Sequence, residues 1–106
     1  MKTIITSTGD KVNAKFDKRF GRAGWFCVYD AENKSTDFIE NSFKNSNGGA
    51  GTKSSEMAAE LGATRVFSGH FGPKAKDMLE KLNIEMVEIN DENIEISDII
   101  AKIENN

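Results

Sequence analysis

Cysteine, histidine and proline are nearly absent from this chain of 106 residues, which contains one of each. One cysteine excludes an intramolecular disulfide framework, and one cysteine with one histidine excludes a tetrahedral metal site built from these residue types alone. The chain also lacks a run close to the roughly 20 apolar residues that span a bilayer, and residues 1–10 lack the apolar segment of a signal peptide. We therefore expect one reduced, cytoplasmic domain over residues 1–106, with no membrane or nucleic-acid partner.

Charge is distributed unevenly along the chain, although the formal net charge is only −3. Residues 85–106 contain seven acidic side chains and one basic side chain, a net charge of −6, whereas residues 1–84 carry +3. A solvated acidic helix explains the excess of acidic residues at 85–106, and a surface that binds a partner is the alternative.

Hydrophobic patterning predicts the element order β-β-β-α-β-α-β-α. Strands are predicted at residues 2–7, 25–29, 35–41, 64–68 and 84–89, and helices at 52–61, from Pro73 onward, and at 98–103 with Ser97 as N-cap. Short links favour an antiparallel meander for the first three strands, while the later β-α-β units require right-handed parallel crossovers. The expected fold class is α/β, with a mixed five-stranded sheet of order 3-2-1-4-5 in which strand 2 is antiparallel, the ribonuclease H-like arrangement.

Four segments are expected to meet at one end of this sheet, namely residues 7–10, 19–23, 48–53 and 68–73. Open α/β sheets bind ligands outside the carboxyl ends of their strands. Two helices are predicted to begin there, each with free backbone N–H groups and a partial positive charge. The segments therefore predict an anion-binding pocket near Lys74, formed by Arg19, Arg22, Gly49, Gly51, Thr52, Lys53, Gly69 and Gly72.

Other chemistries do not fit the residues present. A nucleotide-binding P-loop needs Gly-Lys-Ser/Thr, but Thr52 separates Gly51 from Lys53. A metal-dependent nuclease needs clustered carboxylates, and the predicted first strand contains none. Since no nucleophile and base are paired by the sequence either, we expect a protein that is not an enzyme.

His70 and Cys27 are the two side chains that could bind a soft or borderline metal. His70 follows a strand directly, between Gly69 and Phe71, where it is either a packed or surface residue or a metal ligand at the pocket. Cys27 lies in the middle of an apolar strand, which predicts a buried and unreactive thiol rather than a cluster ligand.

These residues give the sequence a resemblance to the dinitrogenase iron–molybdenum cofactor biosynthesis family. The similarity extends from residue 1 to about residue 87. Its marks are the RFGRA segment at residues 19–23 ahead of the second strand, Gly49-Ala50-Gly51, and the segment at 69–75 (GHFGPKA), followed by Leu79 and Ile84.

The resemblance implies a ribonuclease H-like domain that binds an anionic metal–sulfur cluster without catalysis. The iron–molybdenum cofactor or its precursor is one such cluster, and a molybdenum–copper sulfide cluster held without covalent attachment is another. His70 matches the region in which carriers of this family use a histidine, so the resemblance makes it the metal ligand. The implied partners are the loosely bound cluster and a protein that donates or accepts it. The alternative function is a regulatory or interaction module that binds a phosphate-type anion without metal.

Overall fold

The computed structural model describes residues 1–91 and 93–105. Five strands and three helices follow in the predicted order: β1 (Lys2–Ser7), β2 (Trp25–Asp30), β3 (Ser35–Glu40), α1 (Ala50–Glu60), β4 (Ala63–Ser68), α2 (Pro73–Lys81), β5 (Glu85–Glu88) and α3 (Ile96–Glu104). None of the helices in these residues is long and apolar enough to cross a bilayer.

The strands form one mixed sheet of order β3-β2-β1-β4-β5. Strand β2 is antiparallel to both β1 and β3, whereas β4 is parallel to β1 and β5 is parallel to β4. The predicted order and directions are therefore confirmed. The β2–β3 link is short enough for an antiparallel turn, and helices α1 and α2 provide the longer crossovers that parallel neighbours need.

Alternating side chains divide the core between the two faces of the sheet. Ile4, Phe26 and Val66 belong to one cluster, which packs against α1 and α2 through Ala58 and Leu79. The opposite cluster contains Ile5, Cys27, Ile96 and Ile99 and is covered by α3. Helices on both faces bury the sheet and leave its ends for ligand binding.

Helix α1 begins earlier than the sequence pattern indicates. Its first residue is Ala50 instead of Thr52, so Gly51, predicted to lie in the preceding loop, is helical. Gly49 is the N-cap and has a φ of 71°, a left-handed conformation that glycine adopts without steric cost. The prediction placed the helix start after the last glycine, but the chain turns at Gly48 and Gly49.

The predicted N-cap of α3 is wrong. Helix α3 begins at Ile96 with Glu95 as its N-cap, so Ser97 is the second helical residue. The Asp98 carboxylate accepts the backbone N–H of Glu95 at 3.1 Å, the reciprocal half of a capping box. Serine is a commoner N-cap residue than glutamate, but burial of Ile96 against the sheet places the helix start two residues earlier than predicted.

Candidate functional site

A groove with a volume of about 340 Å³ opens at the end of the sheet where β4 terminates and helices α1 and α2 begin. Three predicted segments meet in it, and its lining consists of Arg19, Phe20, Gly21, Arg22, Ala50, Gly51, His70, Gly72 and Ala75. The fourth predicted segment, residues 7–10, is not part of this lining. It turns back toward Lys15 instead, since the Thr8 N–H donates to the Lys15 carbonyl at 3.0 Å.

The loop of residues 17–24 lies beside the end of β4 as an added strand-like segment. Arg19 and His70 form a parallel bridge, and the Phe20 N–H donates to the His70 carbonyl at 3.2 Å. The Phe20 ring is buried and packs on Phe26 and Phe71, with ring centroids 5.8 and 5.3 Å away. This aromatic anchor fixes the loop that carries both predicted arginines.

Steric contacts distinguish the glycines around the groove. A Cβ at Gly69 would lie 2.6 Å from the Lys18 Cβ, and one at Gly21 would lie 2.9 Å from the Gly51 nitrogen, so both positions require glycine for packing. Gly72 differs, because a Cβ there would have no heavy atom within 4 Å and its φ is −66°. Its place at the groove suits the close approach of a ligand to the backbone.

Helices α1 and α2 present uncapped N-termini to the groove. Neither receives a hydrogen bond from a capping side chain, and neither has an acidic residue in its first turn. By contrast, α3 has Asp98 at this position. Unpaired N–H groups and the helix dipole make a helix N-terminus favourable for anions. A second depression of about 340 Å³ between the two N-termini is lined by Gly49, Thr52, Pro73 and Lys74 together with Ala50, Gly51, Gly72 and Ala75 of the groove.

Arg19 is oriented by a buried carboxylate. The Asp17 side chain is only 5% exposed and accepts hydrogen bonds from Nε and Nη2 of Arg19, both at 3.2 Å. It also accepts the backbone N–H groups of Arg19 and Gly24 at 3.0 and 3.3 Å. The hydrogen bond to Asp17, reinforced by its charge, raises the pKa of Arg19 above its ordinary value. Asp17 therefore holds the loop and one edge of the guanidinium together.

Arg22 and Lys53 both reach toward the loop of residues 41–48. Arg22 lines the groove, and its Nη1 donates to the Lys44 carbonyl at 2.9 Å. The Lys53 Nζ donates to the Ser46 Oγ at 3.2 Å and lies 5.9 Å from the centre of the Phe43 ring. Lys53 itself is not one of the described residues that line the groove or the second depression.

His70 lies between the groove and a smaller depression of about 110 Å³ lined also by Lys18, Gly69, Ile89 and Asn90. Its side chain is exposed, so the imidazole is accessible from this end of the sheet. In residues 1–91 and 93–105, no group of three His, Cys, Asp or Glu side chains is placed to hold a metal ion. The guanidinium groups of Arg19 and Arg22 in the groove lining suit an anionic ligand better than a bare cation.

Cys27 is fully buried, as the strand pattern predicts. Burial, with a smaller contribution from the Asp37 charge, raises the pKa of its thiol to about 12. The thiol is thus neutral at physiological pH and lies inside the α3-side core rather than at the groove.

Asp17, Asn41 and Ser54 are three residues that sequence reasoning missed. Asn41 and Ser54 are buried and contact the groove loop through the Gly21 carbonyl. Asp17 had one available signal, its position two residues before Arg19, which is typical of a side chain that accepts a nearby backbone N–H. Asn41 and Ser54 had no such signal, because their partner is 20 and 33 residues away.

The model of the dinitrogenase iron–molybdenum cofactor family matches residues 1–106. The chain belongs to this family. A relative from Methanocaldococcus jannaschii, an uncharacterised protein, is 30% identical over 86 residues, which is 78% of this chain and 73% of that protein.

Solved structures of similar proteins have the same fold. The apo form of the orange protein from Desulfovibrio gigas superimposes with a TM-score of 0.90 at 26% identity, covering 98% of this chain and 87% of that one. A putative NifB protein from Thermotoga gives a TM-score of 0.83 at 21% identity, covering 99% and 88% of the two chains. The second similarity concerns the fold alone. The family assignment suggested by the sequence motifs is confirmed.

Proposed function

We propose that this protein is a non-catalytic carrier that binds an anionic metal–sulfur cluster in the groove between the N-termini of α1 and α2. The observation that carries the proposal is the charge of the site. Both N-termini are uncapped. The described residues that line the groove and its two neighbouring depressions include four cationic side chains and no carboxylate, the cations being Lys18, Arg19, Arg22 and Lys74.

The chemistry of the lining favours sulfide over phosphate as the ligand's outer atoms. Small and apolar residues make up most of the groove surface, including Phe20, Ala50 and Ala75. Sulfide is large, polarisable and a weak hydrogen-bond acceptor, so contact with carbon atoms costs it little. A phosphate oxygen in the same place would lack a hydrogen-bond donor, which is unfavourable. The family name, which refers to the iron–molybdenum cofactor, is consistent with this choice.

His70 is the proposed metal ligand, and the remaining proposed contacts are Arg19, Arg22, Gly49, Gly51, Thr52, Gly69 and Gly72. Lys53 is proposed only as a nearby positive charge, since its Nζ donates to the Ser46 Oγ. A neutral imidazole is a suitable ligand for iron, copper or molybdenum-containing clusters. With one imidazole and no thiolate at the groove, the protein would supply at most one bond to the metal, so we propose loose binding and exchange with a cytoplasmic donor or acceptor protein.

Anaerobic reconstitution tests this function. The protein is incubated with tetrathiomolybdate and Cu(I), or with Fe(II), sulfide and molybdate, then desalted and analysed for metal content and visible absorption. We expect a coloured, metal-containing protein from at least one mixture. A colourless, metal-free protein that is nevertheless stabilised thermally by inorganic phosphate would contradict the cluster proposal and support the phosphate-type module.

Two variants and one control separate the contributions to binding. Replacing Arg19 and Arg22 together with glutamine should weaken binding of the chromophore, whereas a double Lys34→Gln, Lys102→Gln variant changes the net charge equally but lies away from the groove and should not. His70→Ala should lose or shift the visible bands while leaving the fold intact. Wild-type spectra from His70→Ala would remove the ligand assignment and leave the carrier proposal standing.

A further inference from the structure

The Gly21 carbonyl is held by two buried side chains at the back of the groove. The Asn41 Nδ2 and the Ser54 Oγ each donate to it at 3.0 Å. Both residues have no solvent exposure. The Asn41 Oδ1 in turn accepts the Phe43 N–H at 3.1 Å and lies 3.4 Å from the Ser54 Oγ. Two buried donors on one carbonyl fix the orientation of that peptide group.

The same peptide unit contains the backbone N–H of Arg22. A trans peptide is planar, with its C=O and N–H on opposite sides. Since the carbonyl points inward to Asn41 and Ser54, the Arg22 N–H points away from this network. Both Gly21 and Arg22 line the groove, and in residues 1–91 and 93–105 the Arg22 N–H has no hydrogen-bond acceptor.

We propose that Asn41 and Ser54 are positioning residues that hold the Arg22 N–H as an anion donor in the groove. This inference rests on the proposed function and adds a donor to it. Unpaired N–H groups held in advance toward a ligand act without a reorganisation cost when the anion binds. The loop donor also complements the helix N-termini, because it approaches the ligand from the Arg19–Arg22 side.

Ser55 provides a matched control for Ser54. It is the next residue of α1 and is equally buried, but its hydroxyl donates at 2.7 Å to the Gly51 carbonyl of its own helix. Ser54→Ala and Ser55→Ala therefore delete the same group from neighbouring buried positions. Only the first removes a hydrogen bond that orients the Gly21–Arg22 peptide.

The test is an NMR titration of ¹⁵N-labelled protein with tetrathiomolybdate and, separately, with inorganic phosphate, following the Arg22 amide. In the wild type we expect this amide proton to move downfield on binding. Ser54→Ala should reduce the movement and weaken binding roughly threefold to tenfold, as for loss of one oriented hydrogen bond. Ser55→Ala should bind within about twofold of the wild type, as expected for a site outside the network.

The outcomes separate this inference from the proposed function. If tetrathiomolybdate binds but the Arg22 amide does not move, or Ser54→Ala and Ser55→Ala behave alike, the positioning role is overturned and the carrier function stands. If only phosphate binds and moves the amide, the cluster function is overturned and the donor stands. If neither anion binds, both are overturned.

Discussion

Asp17 and Arg19 form a two-pronged ion pair beside the groove, with Nε–Oδ1 and Nη2–Oδ2 distances of 3.2 Å. The Asp17 side chain is almost fully buried, while the Arg19 side chain is 62% exposed. The pair therefore combines two functions: its inner half organises the backbone of the loop, and its outer half presents a positive charge in a restricted orientation. Paired hydrogen bonds of this kind restrict the guanidinium more than a single contact does.

Asp17→Asn should destabilise the protein more than loss of an exposed ion pair. The variant replaces a buried carboxylate, which accepts the part-buried N–H groups of Arg19 and Gly24, by an amide group. This should lower the free energy of unfolding by about 1–3 kcal/mol. Glu40→Gln is the control, since the Glu40–Lys44 pair is solvent-exposed and should contribute less than about 1 kcal/mol. Urea unfolding of both variants checks the difference. Equal, small losses would show that Asp17 does not organise the loop.

Gly72 and Gly69 should respond oppositely to serine. Gly72→Ser places a hydroxyl at an N-cap with extended backbone, so we expect stability to rise by a few tenths of a kcal/mol. The same hydroxyl would occupy a helix N–H and narrow the groove, and should weaken anion binding. Gly69→Ser would collide with Lys18 and should cost about 1–3 kcal/mol.

Thermal unfolding and an anion titration on the same two variants check this pair. The expected pattern is a stable Gly72→Ser protein with weak binding and a destabilised Gly69→Ser protein. Wild-type affinity in Gly72→Ser would mean that the ligand does not approach this end of α2.

Cys27 should make stability fall in alkaline solution. Its thiol has a pKa raised from 9.0 to about 12 by burial, so the neutral form is favoured in the folded protein. Below pH 9 both states are protonated and the stabilisation is fully present. Above pH 9 only the unfolded thiol ionises, and the free energy of unfolding falls by about 1.4 kcal/mol per pH unit until the folded thiol titrates.

The difference between wild type and Cys27→Ala isolates this dependence, because Tyr29 also has a raised pKa and is unchanged in both proteins. Urea unfolding between pH 8 and pH 10.5 should show wild type losing stability faster than the variant. Native protein should also resist thiol reagents that modify it readily in urea. Parallel pH profiles would mean that the thiol is not protected in the folded state.

The start of α3 can be tested with two neighbouring substitutions. Asp98→Ala removes the carboxylate that accepts the Glu95 N–H and that faces the helix dipole, and should cost about 1 kcal/mol. Ser97→Ala should change stability by less than about 0.5 kcal/mol, because Ser97 lies within the helix rather than at its cap. If urea unfolding showed a larger loss of stability for Ser97→Ala than for Asp98→Ala, Ser97 would be the N-cap after all.

Local sequence patterns predicted the helices and strands and their order. The wrong helix starts arose where two neighbouring residues both resembled a helix boundary. The glycines before α1 each resemble a helix boundary, but φ at Gly48 and Gly49 decides where the chain turns. Ser97 is a good N-cap by composition, yet the burial of Ile96 sets the helix start. In both cases the pattern found the helix and missed its first residue.

Residues that line the groove were predictable where position in the topology determines proximity. Arg19, Arg22, Gly51, His70 and Gly72 all line the groove because they follow or flank strand ends at one edge of the sheet. Lys53 was placed with them for its position in the chain, but its side chain is directed to Ser46 and Phe43. Side-chain direction on a helix depends on neighbours that the spacing does not identify.

The sequence by itself determined the α/β class, the sheet order, the family and the end of the sheet at which the glycines and arginines gather. These follow from hydrophobic periodicity, link lengths and motif order, all of which are local or topological. Only the tertiary structure decided how the site is held. The Asp17 carboxylate holds Arg19, two residues further along the chain. Asn41 and Ser54 both bind the Gly21 carbonyl, although they are 20 and 33 residues away from it in the sequence. Such contacts depend on buried geometry, because a hydrogen bond requires two groups within about 3 Å whatever their separation in the chain.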